Sequence, residues 1–165
     1  MGQWESPIGG SDEWYTPAYI FDALGVTFDL DVAGGKRETH VPCRNRIISN
    51  SLELKWVGFI WMNPPFGGRN GILPWVDRFI EHGNGIALAP DRTSAPWFQH
   101  FANYCDRVLF LSPKVRFERP DGSLGMQPGN GTALFGIGNR ACEALSNASH
   151  LGWLVQGVIC DSLKG

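Results

Sequence analysis

Apolar runs and amphipathic segments alternate along the chain, and their periods predict strands that alternate with helices. Apolar runs of strand length occupy residues 26–33, 57–62, 85–90, 107–111, 132–137 and 151–159. Helical spacing is found at residues 16–24, 74–82, 96–104 and 140–148. This alternation implies an α/β sandwich with a mainly parallel sheet and helices on both of its faces.

Three stretches do not follow this alternation. Residues 1–13 are rich in glycine and serine, so we expect a flexible arm before a single domain at residues 14–160. Residues 36–55 are polar, aperiodic and too long for an ordinary connection. They are predicted to hold a short helix or edge strands over a ligand. Residues 115–118 alternate in the way that an exposed strand does.

The apolar run at 57–62 ends in Asn63, Pro64, Pro65 and Phe66. Two successive prolines cannot donate ladder hydrogen bonds, so the strand must stop there. The backbone then leaves the sheet as a stiff loop at the carboxyl end of the strand. Ligands bind at this end of the strands in open α/β sheets, so the loop is a candidate site.

The chemistry that suits this loop is methylation of a planar amino group. The Asn63 side-chain oxygen and the Pro64 carbonyl can accept both amino hydrogens and favour a pyramidal, nucleophilic nitrogen. Phe66 can stack on a base held in the pocket, as in enzymes that flip bases out of the duplex. The alternative is a turn that ends a strand and is followed by a core aromatic residue.

A second candidate ligand site lies at the end of the predicted strand at 26–33. Asp31 is followed by Ala33, Gly34 and Gly35, and small residues allow a ligand to approach the backbone. The Gly-x-Gly-x-x-Gly fingerprint of dinucleotide sites is absent from this turn. On these residues alone, a ligand site and a plain turn are equally good interpretations.

Composition narrows the choice of partners. The 165 residues carry a net charge of −2, which argues against a protein that coats nucleic acid but allows binding through local basic patches. Such patches occur at 36–37, 44–46 and 114–119. There is no run of 18 apolar residues and no signal-peptide pattern, so we expect a cytoplasmic protein without a membrane span. The four cysteines are widely spaced, and no metal site is expected.

Three motifs in order carry a family resemblance: Trp14-x-Thr16-Pro17, Leu30-Asp31-x-Ala33 and Asn63-Pro64-Pro65-Phe66. This order resembles the phage-type, Dam-like DNA N6-adenine methyltransferases over roughly residues 12–138. The resemblance implies a Rossmann-like fold of reduced size, S-adenosylmethionine as cofactor, and double-stranded DNA as substrate. It also implies a phage or prophage gene expressed in the bacterial cytoplasm.

The resemblance assigns roles to individual residues. The cofactor would be held by Trp14, Thr16, Pro17, Asp31, Ala33 and Gly34. The target adenine would be held by Asn63, Pro64, Pro65 and Phe66. The basic residues expected to contact the nucleic acid backbone, or else to form surface salt bridges, are Arg92, Lys114, Arg116 and Arg119.

Two departures from the family pattern keep other functions open. Asn50-Ser51-Leu52 stands where the family leads us to expect Asp-Gly-Leu, and we expect no separate target-recognition domain. One alternative is methylation of another planar nitrogen, such as cytosine N4, an RNA guanine or a protein glutamine. The other alternative is a non-catalytic DNA-binding decoy whose cofactor site has degraded.

Overall fold

The computed structural model describes residues 14–35, 39–66, 71–126 and 129–157. The strands are β1 Phe28–Asp31, β2 Cys43–Arg46, β3 Ile60–Met62, β4 Gly85–Pro90, β5 Arg107–Leu111, β6 Thr132–Ile137 and β7 Gly152–Gln156. The helices are α1 Ala18–Leu24, α2 Leu73–His82, α3 Pro96–Tyr104 and α4 Asn139–Asn147. Short 3₁₀ turns lie at Ser51–Glu53 and Ser149–Leu151. No helix of the described part is long and apolar enough to cross a bilayer.

Local sequence accounts for the helix boundaries. Pro17 directly precedes α1, where its fixed φ suits the approach to a helix. Gly25 ends α1 in the left-handed conformation, with φ of +64°, and its N–H bonds the Phe21 carbonyl. Ile20 and Leu24 lie one turn apart on the buried side of α1.

The sheet has seven strands in the order β2-β1-β3-β4-β6-β5-β7. One apolar cluster packs α1 and α4 on one face, and a second packs α2 and α3 on the other. In β3, Trp61 belongs to the first cluster, whereas Ile60 and Met62 belong to the second. The predicted layers are confirmed, because the continuous apolar runs come from strands covered on both faces.

The prediction of a mainly parallel sheet holds for only half of it. The three pairings among β2, β1, β3 and β4 are parallel. The three pairings of β4 with β6, β6 with β5, and β5 with β7 are antiparallel. Runs buried on both faces look alike in either direction, so the apolar pattern could not reveal the direction of these strands.

The structure confirms the prediction for residues 36–55 but not the prediction for residues 115–118. Residues 39–55 form the edge strand β2 and the 3₁₀ turn Ser51–Glu53, as predicted for 36–55. The predicted strand at 115–118 is wrong, because only Glu118 forms isolated bridges, with Tyr15 and Leu124. Val115 is buried in the core, which holds the segment against the sheet instead of in a ladder. The predicted arm at 1–13 and the domain end at 158–160 lie outside the described residues.

Candidate active site

The predicted ligand sites meet at one edge of the sheet. β1 and β3 are adjacent and parallel, with Asp31 opposite Trp61, and the Val32 N–H donates to the Trp61 carbonyl over 3.0 Å. The turn after Asp31 and the loop at 63–66 therefore leave the sheet side by side. β4 and β5 also end at this edge, which we call the carboxyl edge.

Asn63 is tied to the segment that precedes α1. Its side-chain nitrogen donates to the Thr16 hydroxyl over 3.4 Å, and Thr16 itself is buried. The Asn63 side-chain oxygen and the Pro64 carbonyl accept no hydrogen bond from another described residue. Both predicted acceptors are therefore unengaged within the described part of the chain, and their contact with a base stays a prediction.

The other residues of the loop differ in exposure. Pro64 is buried, Pro65 is exposed, and Asn63 is half-buried. Phe66 is half-buried and packs against the apolar cluster on the α2–α3 face, so part of its side chain belongs to the hydrophobic core. Phe66 therefore packs partly inward, and its stacking on a base stays a prediction.

Asp31 lies behind the predicted cofactor turn. Its side chain is 3 % exposed, and its Oδ1 accepts the Ala33 N–H over 3.2 Å. Burial raises the pKa of Asp31 to about 6, although the Ala33 N–H and the positive charge of Arg46 act in the opposite direction. The Asp31 carboxylate therefore shapes the turn instead of lining the adjoining cavity.

A cavity of about 390 Å³ opens beside this turn. It is lined by Val32, Ala33, Gly34, Ile47, Ile48, Ser49, Asn50, Ser51, Leu52, Glu53, Pro65 and Trp75. Its volume falls within the roughly 300–1,000 Å³ typical of small-molecule sites. The cavity joins the predicted cofactor turn to the loop at 63–66, and we call it the edge pocket.

Only part of the predicted cofactor set lines the edge pocket. Ala33 and Gly34 do so, whereas Trp14, Thr16 and Pro17 lie on the approach to α1. Trp14 instead packs under the Arg119 guanidinium, 5.5 Å from its ring centroid. The cofactor-binding residues predicted from sequence do not include the pocket wall at 47–53, although residues 36–55 were predicted to lie over a ligand.

The wall at 47–53 is held against α2 by aromatic and basic side chains. The Trp56 indole N–H reaches both the carbonyl and the hydroxyl oxygen of Ser51, each over 3.0 Å. Trp56 stacks on Trp75 and lies under the Arg78 guanidinium. Arg78 also donates to the Leu54 carbonyl over 2.9 Å. This wall is therefore held on both sides of Glu53.

Three of the four basic residues predicted to contact nucleic acid form hydrogen bonds with backbone carbonyls of one loop. Lys114 donates to the Gly129 carbonyl over 2.9 Å, and Arg119 donates to the Leu124 carbonyl over 2.9 Å. Arg116 donates twice to the Gly125 carbonyl, over 3.2 and 3.1 Å. Their segment connects β5 to β6 and emerges at the carboxyl edge, so these three charges lie there.

Arg92, the fourth predicted contact, follows β4 at the same edge. Its carbonyl accepts the Ala95 N–H over 2.9 Å, which closes a turn before α3. The structure thus brings Arg92 to the carboxyl edge on a different connection from the other three basic residues. Among the described residues, no group of His, Cys, Asp and Glu side chains is arranged to hold a metal ion.

Comparison with known families completes the description of this site. The family model described as DNA N-6-adenine-methyltransferase (Dam) matches residues 5–141, which is most of the chain. The chain belongs to this family. The resemblance seen in the three sequence motifs is confirmed, and all three fall within the matched residues. No curated protein and no solved structure matches the chain.

Proposed function

We propose that this Dam-family chain transfers a methyl group from S-adenosylmethionine to N6 of adenine in double-stranded DNA, within the bacterial cytoplasm. One observation carries the proposal. The Asn63 amide nitrogen is bound by Thr16, while its oxygen and the Pro64 carbonyl have no partner among the described residues, and the next residue of the loop, Pro65, lines the edge pocket. Two acceptors on adjacent residues match in number the two hydrogens of a planar amino group.

The residues of the edge pocket fit the proposed cofactor. Ala33 and Gly34 leave the backbone of the turn accessible, and Ile48 and Leu52 supply exposed apolar surface for a purine ring. S-adenosylmethionine, when bound, supplies an electrophilic methyl group on a sulfonium. The α/β/α layers and the pocket at the carboxyl edge support a Rossmann-like methyltransferase fold for this chain.

The catalytic task of the loop is positioning and hydrogen-bond acceptance. The Asn63 oxygen and the Pro64 carbonyl accept the amino hydrogens of the base and draw electron density toward its nitrogen. A neutral amide is not a proton-abstracting base at neutral pH, so the amino proton leaves to water after transfer. Phe66 offers its accessible face to the base, and Thr16 keeps the amide in the accepting orientation.

The basic residues at the carboxyl edge are proposed to contact DNA phosphates. Lys114 and Arg119 each use one donor on the loop carbonyls, and both side chains retain further N–H groups. Arg92 approaches the edge from the connection after β4. Phosphate contacts of this kind position the duplex without reading its sequence.

A single-turnover assay with labelled S-adenosylmethionine tests the proposal. Duplexes rich in adenine and duplexes that contain only G·C pairs are compared, and mass spectrometry identifies the modified base. We expect label on N6 of adenine and none on the G·C duplex. Label on cytosine N4 would show that the acceptor pair serves a different amino group, and absence of transfer to any duplex would overturn the proposed activity.

A further inference from the structure

We propose that Trp14 positions a hairpin that contacts DNA and is not a cofactor residue, an inference that rests on the proposed function. The family resemblance assigns Trp14 to the cofactor together with Thr16 and Pro17. In the structure the Trp14 side chain is partly exposed, does not line the edge pocket and packs against the connection from β5 to β6. These surroundings indicate a role in binding the duplex.

Residues 116–125 fold back on themselves as a short hairpin. The Gly125 N–H donates to the Phe117 carbonyl over 2.8 Å, which pairs the two arms. The hairpin lies in the connection from β5 to β6 at the carboxyl edge, and we call it the edge hairpin. Arg116 and Arg119 are exposed cations on it, which suits contact with a phosphate backbone.

Trp14 contacts both arms of the edge hairpin. The Arg119 guanidinium of one arm lies over the indole, 5.5 Å from a ring centroid. Gly125 of the other arm lies against the indole, and a Cβ added to it would lie 2.5 Å from the Trp14 Cζ3. This separation is far below van der Waals contact, so glycine is required for the hairpin to approach the indole this closely. Trp14 therefore holds the arm that carries Arg119 and the arm that carries Gly125.

The two residues that follow the indole join the edge hairpin to the loop at 63–66. Tyr15 and Glu118 exchange two backbone hydrogen bonds, each over 2.9 Å. The Thr16 hydroxyl accepts the Asn63 side-chain nitrogen over 3.4 Å. This segment therefore links the surface that contacts phosphates to the loop that holds the base. A fixed offset between the two places the target base for reaction, since small misplacements of a reactant slow transfer strongly.

The stacked Arg119 guanidinium can still bind a phosphate. One of its N–H groups donates to the Leu124 carbonyl over 2.9 Å, while the Trp14 indole contacts its face. A guanidinium has five N–H donors in its plane, so stacking limits the rotation of the cation without engaging the other donors. Loss of the indole should therefore weaken DNA binding, although Trp14 itself carries no charge.

The test compares wild type, Trp14→Ala, Trp14→Phe and Trp153→Ala as full chains. Fluorescence anisotropy measures binding of a labelled DNA duplex over a series of salt concentrations, and calorimetry measures binding of S-adenosylhomocysteine. Trp153 is the matched control, because it is an exposed tryptophan that stacks on Phe110 in the outer strand β7.

We expect Trp14→Ala to weaken DNA binding by about 3- to 20-fold. The slope of log affinity against log salt concentration should flatten by about 0.9, because the Arg119 phosphate contact is lost. Trp14→Phe keeps an aromatic face for Arg119 and should regain most of the affinity and the slope. Trp153→Ala should bind DNA as wild type does, and the affinity for S-adenosylhomocysteine should stay unchanged in all three variants.

A second substitution tests the contact between the indole and the hairpin. Gly125→Ala adds a methyl group against the indole and should weaken DNA binding. The same substitution should have a smaller effect in the Trp14→Ala background, where that space is vacant. If Trp14→Ala does not fold, Trp14→Leu takes its place, since leucine fills space without offering an aromatic face.

The outcomes separate this inference from the proposed function. Wild-type DNA affinity and slope in Trp14→Ala, or equal effects of Gly125→Ala in both backgrounds, would overturn the positioning role. An equal loss of affinity for DNA and for S-adenosylhomocysteine in Trp14→Ala would return Trp14 to the cofactor site. If wild type binds DNA but not S-adenosylhomocysteine, the proposed cofactor fails, while the expected DNA-binding results would still support the role of Trp14.

Discussion

The side-chain nitrogen of Asn63 donates to the Thr16 hydroxyl over 3.4 Å, although 47 positions separate the two residues in sequence. This bond joins the segment before α1 to the loop that ends β3. It also orients the Asn63 amide, since the nitrogen is engaged while the oxygen accepts no hydrogen bond from the described part of the chain. The proposed catalytic orientation therefore depends on a residue that the family resemblance assigns to the cofactor.

Asn63→Ala removes the proposed acceptor. We expect single-turnover methyl transfer to fall by about 10²- to 10³-fold, the usual effect of losing one oriented partner of a reacting group. Asn63→Asp should retain activity, because a carboxylate accepts in the same geometry and the Thr16 hydroxyl can then donate to it. Asn103→Ala, at an exposed position on α3, is the matched control. Wild-type transfer by Asn63→Ala would exclude a catalytic role for Asn63.

Thr16→Val tests the orientation of the amide. Valine has nearly the same shape but lacks the hydroxyl, so the Asn63 amide is free to turn its nitrogen toward the base. We expect the transfer rate to fall by about 5- to 15-fold, which corresponds to one neutral hydrogen bond of about 1–1.5 kcal/mol. Thr16→Ser keeps the hydroxyl and should transfer at close to the wild-type rate. The affinity for S-adenosylhomocysteine should stay unchanged in both variants. A loss of affinity equal to the loss of rate would instead place Thr16 in the cofactor site.

Asp31→Asn should make the protein more stable at neutral pH. Burial raises the pKa of Asp31 from 3.8 to about 6, so the folded state holds a proton that the unfolded state loses. The contribution of this group to stability is therefore full below about pH 4, falls between pH 4 and 6, and stays low above pH 6. Asparagine keeps the acceptor for the Ala33 N–H without the buried charge.

We expect Asp31→Asn to raise the free energy of unfolding at pH 7 by about 1–3 kcal/mol, with the difference from wild type vanishing near pH 4. Urea unfolding across this pH range measures it, and Asp22→Asn on the exposed side of α1 is the control. A variant that is less stable than wild type at pH 7, with the deficit vanishing near pH 4, would show that the carboxylate stabilises the fold.

Lys114→Ala should reduce the salt dependence of DNA binding. Each phosphate contact contributes about −0.9 to the slope of log affinity against log salt concentration. We expect the slope to flatten by about that amount, with the affinity for different DNA sequences falling in parallel. Arg140→Ala is the control, because Arg140 bonds the Thr27 carbonyl at the opposite edge of the sheet. An unchanged slope in Lys114→Ala would leave this side chain a purely structural role on the Gly129 loop.

Local sequence determined the positions of helices and strands and the loop at 63–66. Apolar runs, proline and glycine act through neighbouring residues, so β4, α3 and β6 were predicted at the bounds that the structure shows. The order of the three motifs also sufficed for the family, because those motifs are short and contiguous. None of these features requires knowledge of which distant segments pack together.

Tertiary structure alone decided the directions of β6 and β7 and the absence of a strand at 115–118. It also decided which residues come together at the candidate site. Strand direction follows from connections and pairing partners, which an apolar run does not encode. The bond between Thr16 and Asn63 depends on segments brought together by folding, and so does the pocket that Ala33 shares with the wall at 47–53. The burial of Asp31 and its raised pKa likewise arise from packing between β1 and its neighbours, a long-range property that residue type alone does not determine.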